Sequence, residues 1–369
     1  MPRVAYLVHN LGDSAVHRRV AMLAEGGLDV ALAGFLRAGD RMPDAAPATL
    51  LGITHDAALA QRAGAVLRNL ARPARVLHAC RGADVIIARN LEMLVLAVLA
   101  RRRLGVGRVV YECLDIHKTM IGNRPRNRAM RKIERAMLRS VDLIVLSSPA
   151  FRRAYFEQIQ RVATPTLLVE NKLPARAVPA ALPHRPAPPP WRIAWFGNLR
   201  CTRTLVLLKE LVRIAAGSIE VLIAGKPSPA EFPDFARAVL APGITYVGPY
   251  RPEDLPSLYA RCHFAWAIDF FEEGLNSTWL LPNRIYEASA FGCVPIALTT
   301  VETGHWLAAR GAGMLLDQAQ DPARIASRIT TLTKGDYAAM QVAIGAIPQS
   351  DMVFTDDDKA VLRAALLGQ

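Results

Sequence analysis

The chain repeats one folding pattern twice, on either side of a proline-rich segment. In each half a short apolar strand is followed by a turn that contains glycine, then a helix and another strand. This alternation packs as a parallel sheet with helices on both faces. We therefore predict two doubly wound, Rossmann-like domains, residues 1–173 and 191–369. Residues 174–190 form the predicted linker, because their prolines exclude a helix or a central strand.

The apolar runs and the turns between them predict the individual elements. In the first half we expect strands at residues 4–8, 29–33, 85–88, 108–112, 142–146 and 166–169, and helices at 15–25, 56–70, 74–80, 91–103, 121–140 and 149–160. In the second half we expect strands at 192–196, 220–224, 244–250, 263–269 and 314–316, and helices at 204–216, 253–262, 304–309, 322–334 and 356–367. The last helix is predicted to cross back to the first domain.

Composition points to a globular protein without a membrane span. Hydrophobic residues make up 52% and charged residues 21% of the chain. The longest apolar run, residues 91–100, is half of the roughly twenty residues that a bilayer requires. The N-terminus enters a strand directly and lacks the layout of a signal peptide, so we expect a cytoplasmic protein. The five cysteines have no metal-ligand spacing and are expected to be buried free thiols: Cys80, Cys113, Cys201, Cys262 and Cys293.

The positive charge of the chain is confined to its first half. Residues 1–187 contain 29 Lys and Arg against 14 Asp and Glu, a net charge of +15. Residues 188–369 contain 16 Lys and Arg against 18 Asp and Glu, a net charge of −2. Such asymmetry indicates that the first domain faces a polyanion or an anionic membrane.

The densest charge lies in residues 121–140, with seven Lys and Arg and one Glu. Within this predicted helix four apolar side chains follow a 3.6-residue period and leave the arginines to the other face: Met130, Ile133, Met137 and Leu138. Two interpretations remain open. The helix lies on an anionic surface, or it packs on the sheet with a solvated back.

Residues 270–297 carry the strongest local signal for a ligand site. They contain the end of a strand, a polar loop, a helix opened by Pro282 and, after Gly292, a second strand. In an open α/β sheet this loop lies at the carboxyl ends of the strands, where free N–H groups bind anions. Glu287, one turn inside the helix, is suited to binding two sugar hydroxyls. The alternative is a surface ion pair with Arg284.

The segment PNRIYEASAFGCVPIA resembles the donor-binding helix of GT-B glycosyltransferases. The chain as a whole resembles bacterial retaining, group 1 or family 4-like glycosyltransferases of polysaccharide biosynthesis. In retaining members a second glutamate precedes Glu287 with seven residues between; here that position is Trp279, and Glu272 and Glu273 lie earlier. The resemblance implies a metal-independent, retaining hexosyltransferase, with the active site in the cleft between its two domains and no cofactor beyond a UDP or GDP sugar as donor.

The resemblance also implies a set of donor-binding residues in the second domain. The first loop contributes Gly197 and Asn198, and the basic groups Arg200, Arg203 and Lys226 neutralise the diphosphate. The N–H groups of a later loop also hold the diphosphate: Leu275, Asn276, Ser277 and Thr278. Three residues of the following helix complete the set: Asn283, Arg284 and, on the ribose, Glu287. Taken singly, each of the three cations is equally a solvated surface charge.

Two segments of the first domain are candidates for the acceptor side. The turn HNLGDSAVHRRV has one glycine and not the G-x-G-x-x-G spacing, so a dinucleotide site is not supported. Asp13 in this turn caps the next helix or contacts the acceptor, and His17 and Arg18 reach an acceptor phosphate or are solvated. Asp115 and His117, after a strand, suit acid–base catalysis. The alternative is that Asp115 caps a helix and His117 is exposed.

The predicted reaction moves a sugar from the nucleotide sugar to a glycan or a polyprenyl-diphosphate-linked sugar. A lipid-linked acceptor at the inner membrane face would explain the basic first domain. Three alternatives stay open: a nucleotide-sugar epimerase of the same fold, a noncatalytic binding protein and a nucleic-acid binder. No helix-turn-helix, RNA-recognition or zinc pattern supports the last of these.

Overall fold

The computed structural model describes residues 1–40, 42, 48–55, 59–179, 181, 184–317 and 321–369. They form two compact units, each around its own parallel sheet. The first unit comprises Met1–Glu170 and Thr355–Gln369, and the second comprises Asn171–Phe354. The predicted fold class, two doubly wound Rossmann-like domains, is confirmed.

The sheet of the first unit has seven parallel strands in the order β3-β2-β1-β4-β5-β6-β7. Their bounds are Arg3–Val8 (β1), Asp29–Arg37 (β2), Ala48–Thr54 (β3), Val85–Arg89 (β4), Arg108–Cys113 (β5), Leu143–Leu146 (β6) and Thr166–Leu168 (β7). Strands β4 and β6 are buried along their whole length, as expected for strands covered by helices on both faces. The strand order reverses between β1 and β4, and this reversal opens a crevice at their carboxyl ends.

The helices of the first unit connect these strands. They are Ser14–Glu25 (α1), Leu59–Ala71 (α2), Ala74–Cys80 (α3), Asn90–Leu104 (α4), Lys118–Ile121 (α5), Pro125–Leu138 (α6) and a π-helix at Phe151–Gln160. Helix α4 is capped at its C-terminus by Gly105, which takes the left-handed conformation with φ +68°. The last turn of the helix carries three arginines, whose positive charges interact favourably with the negative end of the helix dipole.

The second unit repeats the arrangement with six parallel strands in the order β10-β9-β8-β11-β12-β13. The strands are Trp191–Leu199 (β8), Ile219–Pro227 (β9), Ile244–Tyr246 (β10), Phe264–Trp266 (β11), Val294–Leu298 (β12) and Met314–Leu316 (β13). The helices are Thr202–Ile214 (α7), Phe235–Ala238 (α8), Leu255–Ala260 (α9), Asn276–Trp279 (α10), Asn283–Ala290 (α11), Glu302–Ala308 (α12), Pro322–Thr330 (α13), Lys334–Gly345 (α14) and Gln349–Met352 (α15). Here the strand order reverses between β8 and β11.

Several elements differ from the sequence prediction. Strand β3 was not predicted, because the signal between residues 34 and 55 is weak. The helix predicted at 56–70 is α2, and residues 56–58 lie outside the described residues. The helix predicted at 149–160 begins at Phe151 and is a π-helix with i to i+5 hydrogen bonds instead of an α-helix. Helix α14 was missed, because its exposed and apolar residues do not alternate at a helical period.

The chain ends of the second unit meet in a short parallel bridge. Leu173 pairs with Val353, and the described part of the predicted linker contains a 3-10 turn at Ala175–Ala177. Residues 180, 182 and 183 of that linker lie outside the described residues. The final helix, Asp356–Leu367 (α16), belongs to the first unit, where Lys359 Nζ lies 3.1 Å from Glu25 Oε2.

The five cysteines are buried and free, as predicted. Within the described ranges, no helix combines the length and the apolar character that a membrane span requires.

Candidate functional site

The crevice of the second unit has two arginines at the start of a long helix. Helix α7 closely follows β8, and its N-cap is Cys201, whose Sγ accepts a hydrogen bond from Thr204 N at 3.4 Å. Arg200 precedes this cap and Arg203 lies in the first turn. The N-terminus of a 13-residue helix carries a partial positive charge, and the two guanidinium groups add to it. The geometry therefore favours an anion.

Both arginines are held by the loop that follows β11. Arg200 Nη2 lies 3.6 Å from Asp269 Oδ2, and Arg203 Nη1 forms an ion pair with Glu273. The guanidinium groups also lie over aromatic rings, at 4.7 Å from Phe271 and 4.1 Å from Phe270. The side chains of Arg200 and Arg203 are 39% and 42% exposed, so water reaches both ion pairs. These acidic and aromatic partners were not predicted from the sequence.

The loop predicted at Gly197 and Asn198, at the start of the second unit, does not form, because the strands continue through these residues. Gly197 and Asn198 lie in β8, where they pair with Gly225 and Lys226 of β9. A Cβ on Gly225, whose φ is +137°, would lie 1.9 Å from Gly197 O, so only glycine fits there. Asn198 and Lys226 are exposed neighbours at the carboxyl edge of the sheet. The structure thus brings these two predicted residues together, but on paired strands and not in a loop.

The backbone donors predicted in the later loop already have partners. Leu275 N and Ser277 N donate to Glu272 O at 3.0 and 3.3 Å, and Thr278 N donates to Leu275 O at 3.1 Å. These bonds belong to the turn that leads into α10, and Asn276 and Ser277 are buried. In this conformation the loop does not present those three N–H groups to an anion, which differs from the prediction.

Helix α11 begins as predicted, with Pro282 at its N-cap and Asn283 as its first residue. Arg284 Nη1 donates to Trp266 O at 3.1 Å, which anchors the helix to β11. Glu287 is 3% exposed, and Tyr259 Oη donates to its Oε2 at 3.4 Å. Burial first, and then the charge of Glu287, raise the pKa of Tyr259, so this hydroxyl remains a donor.

In the first unit, the residues that follow β1 and β4 meet across the strand reversal. Asn90 Nδ2 lies 3.3 Å from His9 Nδ1. Asp13 caps α1, since its Oδ1 accepts from Ala15 N at 2.9 Å, which confirms the capping interpretation. Its other oxygen lies 3.7 Å from Arg89 Nη1. None of the pairs around His9 was predicted, although His9 and Asn90 each directly follow an apolar strand.

A buried charge network lies beneath this crevice. Glu112 accepts from Arg19 Nε at 2.7 Å, from Arg89 Nε at 2.8 Å and from the hydroxyl of Tyr6. The three charged side chains are at most 5% exposed. Burial alone would raise the pKa of Glu112, but the charges of Arg89 and Arg19 outweigh it and hold that pKa at about 2. The network was missed because composition does not reveal which charges are buried.

The predicted acid–base pair occupies the loop after β5. His117 is the N-cap of α5, where its Nδ1 accepts from Thr119 N at 3.2 Å. Burial is the main cause that lowers the pKa of His117. Because His117 and not Asp115 caps α5, and His117 is half-buried, the alternative of a capping Asp115 and an exposed His117 is wrong in both parts; Asp115 is exposed. Among the residues that the structure describes, no three His, Cys, Asp or Glu side chains gather as ligands for a metal ion.

Helix α6 buries a polar face. Its buried residues are Asn127, Glu134 and Leu138, and Glu134 accepts from Tyr111 Oη at 2.9 Å. Ile133 is 47% exposed, so the predicted apolar stripe does not form the buried face as a whole. Hydrogen bonds from polar side chains fix this helix to its unit and leave apolar and basic side chains together on the solvent side.

Two doubly wound units of this topology are the GT-B fold of glycosyltransferases. Residues 13–172 match the family described as Glycosyl transferase 4-like domain, and residues 190–334 match Glycosyl transferases group 1. The succinoglycan biosynthesis protein ExoL of Rhizobium meliloti is 41% identical to the chain over 385 residues, covering 100% of this chain and 94% of ExoL. The chain therefore belongs to the group 1 glycosyltransferases of polysaccharide biosynthesis.

Solved structures show the same fold. Anabaena HepE, in complex with UDP and glucose, has a TM-score of 0.69 and 14% identity, with 100% of both chains covered. Sucrose-phosphate synthase from Thermosynechococcus elongatus has a TM-score of 0.71 and 16% identity, with 100% of this chain and 99% of that protein covered. These similarities confirm the GT-B architecture.

Proposed function

We propose that this glycosyltransferase moves a sugar from a UDP or GDP sugar to a glycan or polyprenyl-diphosphate-linked acceptor in exopolysaccharide synthesis. The observation that carries the proposal is the pair Arg200 and Arg203 at the N-terminus of α7, in the crevice of the second unit. ExoL, named for succinoglycan biosynthesis, supports the polymer class, and HepE, solved with UDP and glucose, supports the donor class.

In the proposed complex the donor diphosphate replaces Asp269 and Glu273 as the partner of the two arginines. An exposed ion pair contributes at most about 1 kcal/mol, whereas a diphosphate offers several charged oxygens to both guanidinium groups, so the exchange is favourable. The guanidinium groups and the helix terminus then stabilise the charge that develops on the leaving diphosphate. Glu287 on α11 binds the ribose hydroxyls after Tyr259 releases it.

A thermal-shift screen against UDP, GDP, ADP and their sugars tests the donor site. A ligand that binds only the folded state stabilises it and so raises Tm. At a ligand concentration of one hundred times Kd the stabilisation is about 2.7 kcal/mol. We expect a shift for the UDP or GDP series that is lost in Glu287→Ala. As a matched control, Glu302→Ala removes a second buried glutamate of the same unit and should keep the nucleotide-dependent shift. No shift with any nucleotide would contradict the proposed function.

We further propose that transfer retains the anomeric configuration and needs no metal, because the arginines provide the cationic charge at the leaving group. Proton NMR of the first-formed product distinguishes retention from inversion. Full activity after treatment with EDTA would support the second point, and restoration of lost activity by Mg²⁺ or Mn²⁺ would contradict it.

The acceptor is proposed to lie at an anionic membrane surface that α6 contacts. Three exposed basic residues of this helix, Arg126, Arg128 and Lys132, flank Ile133. Each basic residue near an anionic surface contributes about 1 kcal/mol. Changing all three to Gln should weaken binding to phosphatidylglycerol vesicles by at least about tenfold in co-sedimentation.

A charge-matched control for α6 is available in the same unit. Arg152, Arg153 and Arg161 are also exposed, and their triple Gln variant loses the same net charge from a different element. If both triple variants bind vesicles equally, net charge and not α6 determines binding. Unchanged binding of the α6 variant would contradict a membrane role for this helix.

A further inference from the structure

The strand reversal of the first unit contains a paired histidine and asparagine that the proposed function does not use. His9 directly follows β1 and Asn90 directly follows β4, so both lie at the same carboxyl edge of the sheet. Asn90 has a φ of +70°, a conformation that costs a non-glycine residue about 1 kcal/mol. Such backbone strain persists at positions where function requires it.

The contact between the two side chains determines where His9 carries its proton. Asn90 Nδ2 is a donor, so Nδ1 of His9, 3.3 Å away, is the acceptor. Neutral His9 then holds its proton on Nε2. Within the described part of the chain Nε2 has no hydrogen-bond partner. The neutral imidazole of His9 therefore presents its Nε2–H to the crevice as a hydrogen-bond donor.

The charges around His9 restrict the chemical class of ligand that can bind beside it. Burial lowers the pKa of His9; Asp13 and Asp115 oppose this effect, and Arg89 and Arg37 add to it. Asp13 already accepts from Ala15 N and lies beside Arg89, whereas Asp115 is exposed. A neutral donor beside an open carboxylate suits a hydroxyl, which accepts one hydrogen bond and donates another. With two carboxylates and two guanidinium groups nearby, the surroundings of His9 have no excess of positive charge that would favour a phosphate.

We propose that His9 binds a hydroxyl of the acceptor sugar through its Nε2–H, and that Asn90 is the positioning residue that fixes this tautomer. Asp115 accepts the hydrogen bond that the same hydroxyl donates. This assignment rests on the proposed function, because it requires a sugar acceptor. It places the acceptor hydroxyl at the strand reversal of the first unit, where open α/β sheets bind their ligands.

The tautomer is tested by NMR of the full chain with ¹⁵N-labelled histidine. The His9 signals are identified by their absence from His9→Gln. We expect the Nε2–H tautomer in the wild type at pH 7. Asn90→Asp should move the proton to Nδ1 and raise the pKa of His9 by about one unit, because a carboxylate only accepts and is negatively charged. Asn90→Gly keeps the positive φ without strain and should give a mixture of tautomers.

An Nδ1–H tautomer in the wild type would overturn the assignment, as would an Asn90→Asp spectrum identical to that of the wild type. Asn90→Gly shows whether any change in Asn90→Asp comes from the backbone, since it retains the conformation and lacks the amide.

The ligand is tested with four probes: octyl β-glucopyranoside, octyl β-galactopyranoside, inorganic phosphate and UDP-glucose. We expect a glycoside, but not phosphate, to shift the Nε2 signal of His9. His9→Gln, which keeps an N–H donor, should weaken glycoside binding less than about tenfold, and His9→Phe should weaken it more. A response to phosphate alone, a response to UDP-glucose alone, or none to any glycoside would overturn the proposal.

The failure of this proposal is distinguishable from a failure of the proposed function. The Tm increase caused by the nucleotide found in the thermal-shift screen, UDP or GDP, depends on the second unit, so it should be equal in the wild type and in all His9 and Asn90 variants. If that nucleotide raises Tm but His9 shows the wrong tautomer or no glycoside response, only the hydroxyl assignment fails.

Discussion

The first six strands of each sheet follow the same order, so each unit has a crevice at the same strand reversal. The two crevices use arginine in opposite ways. In the first unit Arg19 and Arg89 are at most 5% exposed and share Glu112. In the second unit Arg200 and Arg203 are about 40% exposed, and each has a carboxylate partner in a loop. Both crevices lie where the strand order reverses, so topology alone does not distinguish their roles.

Burial decides what each arginine can do. A buried ion pair cannot exchange its partner, because removing one member leaves an uncompensated charge at low dielectric. An exposed pair contributes at most about 1 kcal/mol and exchanges readily for a stronger anion. The buried arginines therefore hold the first crevice in shape, and the exposed arginines of the second are the ones available to a ligand.

The largest expected effect is on the buried network. Glu112→Gln removes the buried carboxylate that Arg19 and Arg89 share and should destabilise the first unit by about 3–5 kcal/mol. For a unit of this size the loss corresponds to a decrease in Tm of about 10 °C. Differential scanning calorimetry measures it directly. As a control, Glu210→Gln removes an exposed partner of Arg213 and should leave Tm unchanged.

The same network predicts a pH dependence. The pKa of Glu112 is about 2 in the folded chain, below its ordinary value of 4.5. A depressed pKa means that the stabilisation is complete above pH 4.5 and is lost as the pH falls toward 2. The Tm difference between wild type and Glu112→Gln should therefore shrink over that interval. A difference that stays constant from pH 6 to pH 3 would contradict the assigned role of Glu112.

The sequence was sufficient for the strands of both sheets except β3, because apolar runs bounded by glycine turns determine where strands begin. It misplaced the end of β8, where strand pairing continues beyond the apolar run through Gly197 and Gly225. Arg200 directly follows β8 and Arg203 lies in the first turn of α7, positions that follow from the local order of strand and helix.

The partners of the charged residues could not be predicted in the same way. Arg203 pairs with Glu273 and Arg19 with Glu112, across 70 and 93 positions of sequence. Such pairs depend on how strands are ordered in the sheet and on which side chains lose water. Neither is visible in a local pattern of residue types, so the sequence identified candidate cations but not the difference between the two crevices.

The second expected effect is on nucleotide affinity. If the exposed arginines bind the diphosphate, Arg203→Ala should weaken UDP or GDP binding by about 10- to 100-fold, the range for hydrogen bonds to a charged group. Isothermal titration calorimetry with the nucleotide found in the thermal-shift screen measures this. Arg192→Ala is the matched control, because Arg192 also pairs with a glutamate but lies at the opposite end of β8. Equal losses in both variants would contradict a specific diphosphate contact.

The smallest expected effect has the opposite sign. Glu273→Gln removes the carboxylate with which a diphosphate would compete for Arg203. An exposed ion pair is worth about 0.2–1 kcal/mol, so nucleotide affinity should rise by up to about fivefold. The increase should shrink at high salt, where the pair is already screened in the wild type. Calorimetric titration at two salt concentrations measures both quantities.

A control at the neighbouring position separates exchange from simple charge removal. Glu272→Gln changes the net charge of the same loop equally, but Glu272 is not the carboxylate that pairs with Arg203. Exchange predicts a gain in affinity that is larger for Glu273→Gln than for Glu272→Gln, whereas a general field effect predicts equal gains. If Glu273→Gln weakens binding, the loop does not compete with the nucleotide but orients Arg203 for it, and the exposed pair then resembles the buried one in function.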